Sequence, residues 1–426
     1  MIDKYLYRWR DMVAWLPVIG LLMVISAMPY GWSAYHRIGL YVLGVGYVAD
    51  YIVNKRWQLI TWNRGKWIYV VMLAFVVMFF VREWFDPTAL TSYAFSQFHL
   101  HEWFLYVGIA GIIGFSDKLK MKHVAYVMLA TSAVMAMTCY GLYLFMDKPD
   151  YLSSNEFFNL MRREYINSHM VMNLYLNTAM ILGFCVLRSE SARWKRIVLF
   201  AAIIFAWILI MLSDGRIGQA TSLLVMFVCG ILALPRKHMY WGLTIGLLLA
   251  ICAGLFVAHN PRMRLERVAH DPRAAIFDYS WRMIKKEPIT GYGLSTLSVK
   301  YVEEAYQDSV MYNGYILHIQ SIPEFVQLGK TMKTHHSHNA FLHYWLIFGI
   351  LGPVLLSALF ATSACLPIDR HYRIYLWLFL MALLIQCMTE PIGQHIKPQF
   401  ISIILFAWQW ATLPAMKPEK EEPCVS

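Results

Sequence analysis

Long apolar stretches recur along this chain from its first residues to its last, and that recurrence closes off most folds. We place them near residues 11–28, 37–53, 66–81, 101–116, 123–145, 169–187, 197–213, 218–234, 240–258, 339–366, 373–389 and 399–415. A helix rises about 1.5 Å per residue, so stretches of about 17 to 25 residues match the roughly 30 Å of hydrocarbon in a bilayer. Composition agrees: 59% of the 426 residues are hydrophobic and 15% are charged, against about 25% charged in an ordinary soluble domain. The expected fold is an all-α polytopic membrane protein with twelve transmembrane helices in a single integral membrane domain, residues 1–426.

Basic residues alternate with these spans. Lys4, Arg8 and Arg10 precede the first; Lys55, Arg56, Arg64 and Lys66 join the second to the third; Lys118, Lys120 and Lys122 join the fourth to the fifth. Arg188, Arg193, Lys195 and Arg196, then Arg236 and Lys237, then Arg370 and Arg373 continue in every second loop. Lys and Arg in short loops stay cytoplasmic during insertion, so both termini are expected in the cytoplasm. The first span lacks a small-residue cleavage site and is expected to be a retained helix rather than a removed signal peptide.

The opposite face carries the longer loops, 82–100, 146–168 and 259–338. The last lies between the ninth and tenth spans and contains Arg262, Arg264, Arg267, Arg273, Arg282, Lys285 and Lys286. Long loops escape the charge rule, so this basicity needs another explanation. Single basic residues beside a bilayer commonly rest on anionic headgroups. Convergent arginines also suit a lipid phosphate or diphosphate, because the planar guanidinium grips phosphate oxygens bidentately. The net charge of +11 is spread over scattered membrane loops rather than one soluble face, which argues against nucleic acid as a partner.

Cys139, Cys185, Cys229, Cys252, Cys365 and Cys387 fall inside expected helices, and Cys424 lies in the C-terminal tail. No outward loop holds a cysteine, so disulfides and thiolate zinc sites are not expected, and these residues read as small apolar groups. The chain has no Walker loop, no GxGxxG motif opening a helix after a strand, no clear internal repeat and no soluble segment large enough for nucleotide hydrolysis.

Three groups of residues stand out on the outward face. Ser213-Asp214-Gly215-Arg216 makes a tight turn between two spans, which puts Arg216 close to the bilayer surface. From there it either snorkels to headgroups or faces the protein interior as a ligand. Residues 273–286 suit a re-entrant or interfacial helix that carries Arg273 and Arg282, with Trp281 as an anchor, and it ends at Pro288, Gly291 and Gly293. The run His335-His336-Ser337-His338-Asn339 ends where a span begins. There Asn339 can cap free N–H groups, and Gly349 and Gly352 permit close packing. A neutral imidazole at His338 could accept a proton, serve as a structural hydrogen-bonding group, or bind metal. Against metal, the run contains no Asp, Glu or Cys.

Taken together, Ser213 to Arg216, the block from Arg273 to Gly293, and His336-x-His338-Asn339 followed by Leu342, Gly349 and Gly352 resemble the O-antigen ligase and polymerase superfamily. There too an outward Arg follows a mid-chain helix and a later Arg precedes a PxxGxG segment, as Arg273 precedes Pro288 by 15 residues. An HN pair then opens a helix containing glycine. The similarity spans roughly residues 160 to 390 and includes the twelve-helix plan.

The resemblance implies a GT-C-like glycosyltransferase of the inner membrane of Gram-negative bacteria, active on the periplasmic face, with residues 259–338 as a large periplasmic loop carrying part of the active site. The implied donor is a glycan on undecaprenyl diphosphate, and a ligase would use a sugar hydroxyl of the lipid A core as acceptor. No cofactor is expected, since the lipid diphosphate is the leaving group. Under that reading His338 is the base, with His336 as its orienting partner or alternative. Arg216 and Arg273, with Arg282 and Arg163 as further candidates, bind the diphosphate.

Some features depart from the pattern. Polymerases of the superfamily tend to carry RX10G motifs in two periplasmic loops. Arg282 to Gly293 fits that spacing once, while neither Arg162 nor Arg163 has a glycine at the required distance, which favours ligase. Other GT-C enzymes hold a metal on acidic residues of the first outward loop, but Met28 to Arg37 contains no Asp or Glu. A transporter of lipid-linked sugars is the alternative of a different class, and matching broken helices in two repeated halves would be its signature.

Overall fold

The computed structural model of the protein describes residues 2–30, 33–54, 62–84, 118–145, 169–213, 215–233, 272–293 and 337–389, with a few isolated positions elsewhere. Among them the chain forms eleven helices. They are α1 (Ile2–Ala27), α2 (Ser33–Asn54), α3 (Trp62–Trp84), α4 (Met121–Phe145), α5 (His169–Ser189), α6 (Arg193–Leu212), α7 (Arg216–Ala233), α8 (Pro272–Lys286), α9 (Ala340–Phe348), α10 (Leu351–Ala364) and α11 (Arg370–Cys387). The expected spans 101–116, 240–258 and 399–415 lie largely or wholly outside the described residues, as does most of the 259–338 loop.

By length and composition, four of the described helices can cross a membrane: Tyr7–Ala27, Met170–Ser189, Arg193–Met211 and Arg216–Ala233. Their burial separates centre from rim, since 94% of the α5 window is covered by protein against 28% for α6. Helices α4, α6, α7 and α11 surround α5. The rim keeps apolar residues outward. Ile197, Phe200 and Ile208 on α6 are exposed, and so are Tyr41, Val45, Val48 and Ile52 at helical spacing on α2. Stripes of that kind suit contact with lipid rather than water.

Helices α1, α4, α6 and α11 start at one end of the bundle and α2 and α5 finish there, which gives it two chemically distinct ends. Lys118 pairs with Asp11 at 2.5 Å, and Asn54 donates to the Arg10 carbonyl at 3.3 Å. The Tyr126 hydroxyl donates to Glu190 at 3.1 Å, and Tyr375 lies beside Arg188, Cys185 and Cys229. These contacts bring the basic residues at the starts of α1, α4, α6 and α11 to one end. There the Ala192 N–H donates to Glu190 and holds that carboxyl below its usual value. Because α11 starts at this basic end beside the C-terminal turns of α5 and α7, its last residues reach the opposite end, where α5 and α7 begin.

One expected element divides. The apolar run 339–366 is two helices, α9 and α10, separated at Gly349 and Ile350. Gly349 takes φ 65°, the left-handed region that disfavours side chains, and a Cβ there would overlap the Ile289 carbonyl. A Cβ on Gly352 would likewise overlap the Tyr344 carbonyl. Gly349 thus lets the bend meet the 288–293 loop, and Gly352 lets the start of α10 pack closely against α9. Among the cysteines, Cys185, Cys229 and Cys387 are buried, whereas Cys365 stands exposed just past α10.

Candidate functional site

The turn between α6 and α7 is built on two asparagines of α5. Ser213 caps the end of α6, its hydroxyl donating to Asn173 Oδ1 at 2.7 Å and lying 2.8 Å from the Ile210 carbonyl. Asn173 Nδ2 reaches the Gly215 carbonyl at 3.5 Å, and Asn177 Nδ2 donates to the Gly218 carbonyl at 3.2 Å. Gln219 closes the turn by donating to the carbonyls of Met211 and Ser213 at 3.1 and 2.8 Å. A Cβ on Gly218 would overlap the Asn173 side chain, so glycine lets α7 approach α5 closely enough for these bonds. The turn holds Arg216 at the first position of α7, exposed and without an ion-pair partner among the described residues. It sits where the unpaired N–H groups of the helix start favour an anion.

The histidine turn is held just as firmly. Ser337 is fully buried, and its hydroxyl donates to the Asn339 carbonyl at 2.7 Å, bridging across His338. Asn339 caps α9, its side-chain oxygen accepting from the Leu342 N–H at 3.1 Å, while its Nδ2 donates to the Met388 carbonyl at 3.4 Å. Between them His338 is half-buried with φ 49°, the one non-glycine residue with positive φ among those described. An L-residue in that region carries about 1 to 3 kcal/mol of strain that surrounding bonds must hold, and such residues gather at functional sites. His, with Asn and Asp, tolerates it better than most.

The segment Pro288 to Gly293 clamps the far end of α9. The N–H groups of Tyr292 and Gly293 donate to the Leu346 and Ile347 carbonyls at 2.6 and 3.0 Å, and the Ile350 N–H donates to the Pro288 carbonyl at 3.0 Å. Trp345 Nε1 donates to the same Pro288 oxygen at 2.9 Å. Gly291 and Gly293 have φ 65° and 76°, and a Cβ on Gly291 would meet backbone at 2.5 Å. The PxxGxG pattern is therefore a backbone-to-backbone fastening of the helix that His338 and Asn339 open. Ahead of it, α8 buries Tyr279, Met283 and Ile284 and exposes Trp281, Lys285 and Lys286. The Trp281 ring meets Trp345 edge-on at 5.9 Å. The helix expected over residues 273–286 is present as Pro272–Lys286.

The contact between Asn339 and Met388, just past α11, joins the histidine turn to the end of the bundle where α5 and α7 begin. His338 and Arg216 therefore share one end, opposite the basic loops. Arg273 occupies the first turn of α8, with only its backbone position described. Arg282 directs Nε to Asp278 at 3.3 Å and stacks on Tyr279 at 4.8 Å, both on its own helix. Arg163 and His336 lie outside the described residues. No cluster of His, Cys, Asp and Glu suited to a metal occurs among the described residues.

Sequence reasoning passed over Asn173, Asn177, Gln219 and Arg82. The signal for the asparagines was present, since amides four residues apart on an apolar helix must find partners inside the protein. No curated protein matches the chain. Residues 200–357, which include Arg216, Arg273, Arg282 and the histidine turn, match the family model described as O-Antigen ligase. Over that segment the chain is similar to the O-antigen ligase family.

Proposed function

We propose that this protein is an O-antigen ligase that transfers a glycan from undecaprenyl diphosphate to a sugar hydroxyl of the lipid A core. The observation that carries the reading is the family match over residues 200–357. The shared end of Arg216 and the strained His338 turn supports it. By the positive-inside rule the basic end is cytoplasmic, so the site end faces the periplasm and both termini lie in the cytoplasm.

The proposed reaction is a single displacement. The acceptor hydroxyl oxygen attacks the anomeric carbon, its proton passes to the His338 imidazole, and the bond from that carbon to the diphosphate oxygen breaks. Undecaprenyl diphosphate leaves with the electron pair, and the anomeric configuration inverts. Arg216 and Arg273 bind the diphosphate and stabilise the charge that develops on it. Arg282 and Arg163 are weaker candidates for that role, and His336 is a partner or alternative to His338. Arginine carries fixed charge, so no divalent ion or other cofactor is required.

The test is reconstitution with a defined undecaprenyl-diphosphate glycan and purified lipid A core. Conjugate forming without ATP or divalent metal is the expected result. Chain growth on the lipid carrier instead would make the protein a polymerase, and movement of intact donor across the bilayer would make it a transporter. His338→Ala should lower transfer by about 10²- to 10⁴-fold, the usual range for a general base, with donor binding retained.

A further inference from the structure

Arg82 lies at the end of α3, in the last turn of an apolar helix. It is half-buried, and its Nη2 donates to the Gly291 carbonyl at 2.9 Å. That carbonyl belongs to the buried middle of the Pro288–Gly293 clamp, which grips Leu346, Ile347 and Ile350 through main-chain bonds. We propose that Arg82 is a positioning residue for His338: it braces α3 against the clamp and so fixes the orientation of α9, the helix opened by His338 and Asn339. The proposal rests on His338 being the base of the transfer reaction.

Two observations make the brace decisive rather than incidental. Helix α9 has only nine residues, Ala340–Phe348, so a shift at its clamped end is carried to its start as a rigid-body motion. The start itself is tied to the end of α11 by the Asn339–Met388 bond of 3.4 Å, which is long for an N–H to oxygen bond. The Arg82 bond is shorter and charge-assisted, hence the stronger of the two. Phe75 on α3 also meets the rings of Tyr344 and Phe348 at 5.4 and 6.4 Å. Ring packing allows sliding, whereas a directed hydrogen bond fixes the register.

The experiment uses the full chain in lipid nanodiscs and compares Arg82→Gln, Arg82→Lys, Trp345→Phe and the double variant Arg82→Gln/Trp345→Phe. A misplacement of order 1 Å lowers turnover about a hundredfold, so Arg82→Gln should reduce kcat by about ten- to hundredfold. Its KM for the lipid-linked donor should stay near the parent value. Arg82→Lys keeps a charged donor and should recover most of the lost kcat. Trp345→Phe removes the bond to Pro288, and its effect should be less than additive with Arg82→Gln, as for two members of one fastening. In hydrogen exchange, Arg82→Gln should speed the amides of Tyr292, Gly293 and α9 while leaving α5 protected, which also shows that the variant is folded. Unchanged exchange in α9 would overturn the brace whatever the activity. A raised KM with unchanged kcat would overturn it in favour of direct substrate contact, and fully additive effects would overturn it as well. Full activity in His338→Ala, with the exchange effect still present, would leave the brace standing and remove only the base assignment.

Discussion

At the junction of α5 with α7, two asparagine side chains reach Ser213 and the carbonyls of Gly215 and Gly218. At the junction of α8 with α9, main-chain groups meet main-chain groups, and Tyr292, Gly293 and Ile350 donate to carbonyls across the gap. Each junction sets a proposed site residue at the start of a helix, Arg216 in one case and His338 in the other. They differ in how they can fail. A side-chain fastening can rotate away from an intruding methyl group. A backbone fastening cannot yield without moving a whole segment.

The largest difference should appear at the glycines. Gly349→Ala puts a Cβ against the Ile289 backbone at a left-handed φ of 65°, so we expect a loss of about 3 to 5 kcal/mol from overpacking and strain together. The readout is the unfolding midpoint in detergent, with transfer activity followed in parallel. Asn173→Ala removes the side-chain bonds to the Ser213 hydroxyl and the Gly215 carbonyl, which keep their backbone partners Ile210 and Gln219, and at about 0.5 to 1.5 kcal/mol for each bond should cost about 1 to 3 kcal/mol. Its activity loss should mirror that of Arg216→Ala, because the turn that presents Arg216 loosens. Gly218→Ala meets only the Asn173 side chain and should cost about 1 to 2 kcal/mol. A Gly218→Ala cost equal to that of Gly349→Ala would erase the distinction between the junctions. The smallest effect is expected for Asn339→Ala, about 1 kcal/mol for a lost N-cap. Transfer should fall by more than that figure implies, since the cap also sets the turn at His338; a proportionate fall would show that the cap is structural alone.

Much of this arrangement can be read from the chain directly. The Ser213 to Arg216 turn, the helix at 273–286 and the cap at Asn339 each follow from a local signal: a glycine turn, a Pro-Gly stop, an Asn before an apolar run. The division of 339–366 does not follow from such a signal. Gly349 inside an apolar run is compatible with an intact span, and only the approach of Ile289 from a distant segment forces the bend. The role of Pro288 to Gly293 was hidden for the same reason, because its partners lie more than fifty residues away. Arg82 has no local signal either, because its hydrogen bond runs to Gly291, 209 residues further along the chain.

The burial of α5 carries a consequence for how the protein is made. A helix enclosed on nearly every side must first enter the bilayer with lipid where its neighbours will stand. Its amides are then the costly groups, because hydrocarbon offers them no hydrogen bonds. Their partners Ser213, Gly215 and Gly218 all belong to the hairpin of α6 and α7, the next segments to leave the ribosome. Helix α11, whose buried residues include Leu376, Phe379 and Leu383, also packs against α5 but emerges much later. At synthesis rates of about 5 to 20 residues per second that delay is on the order of ten seconds or more, and through it the amide N–H groups of Asn173 and Asn177 already have their partners in the α6–α7 hairpin.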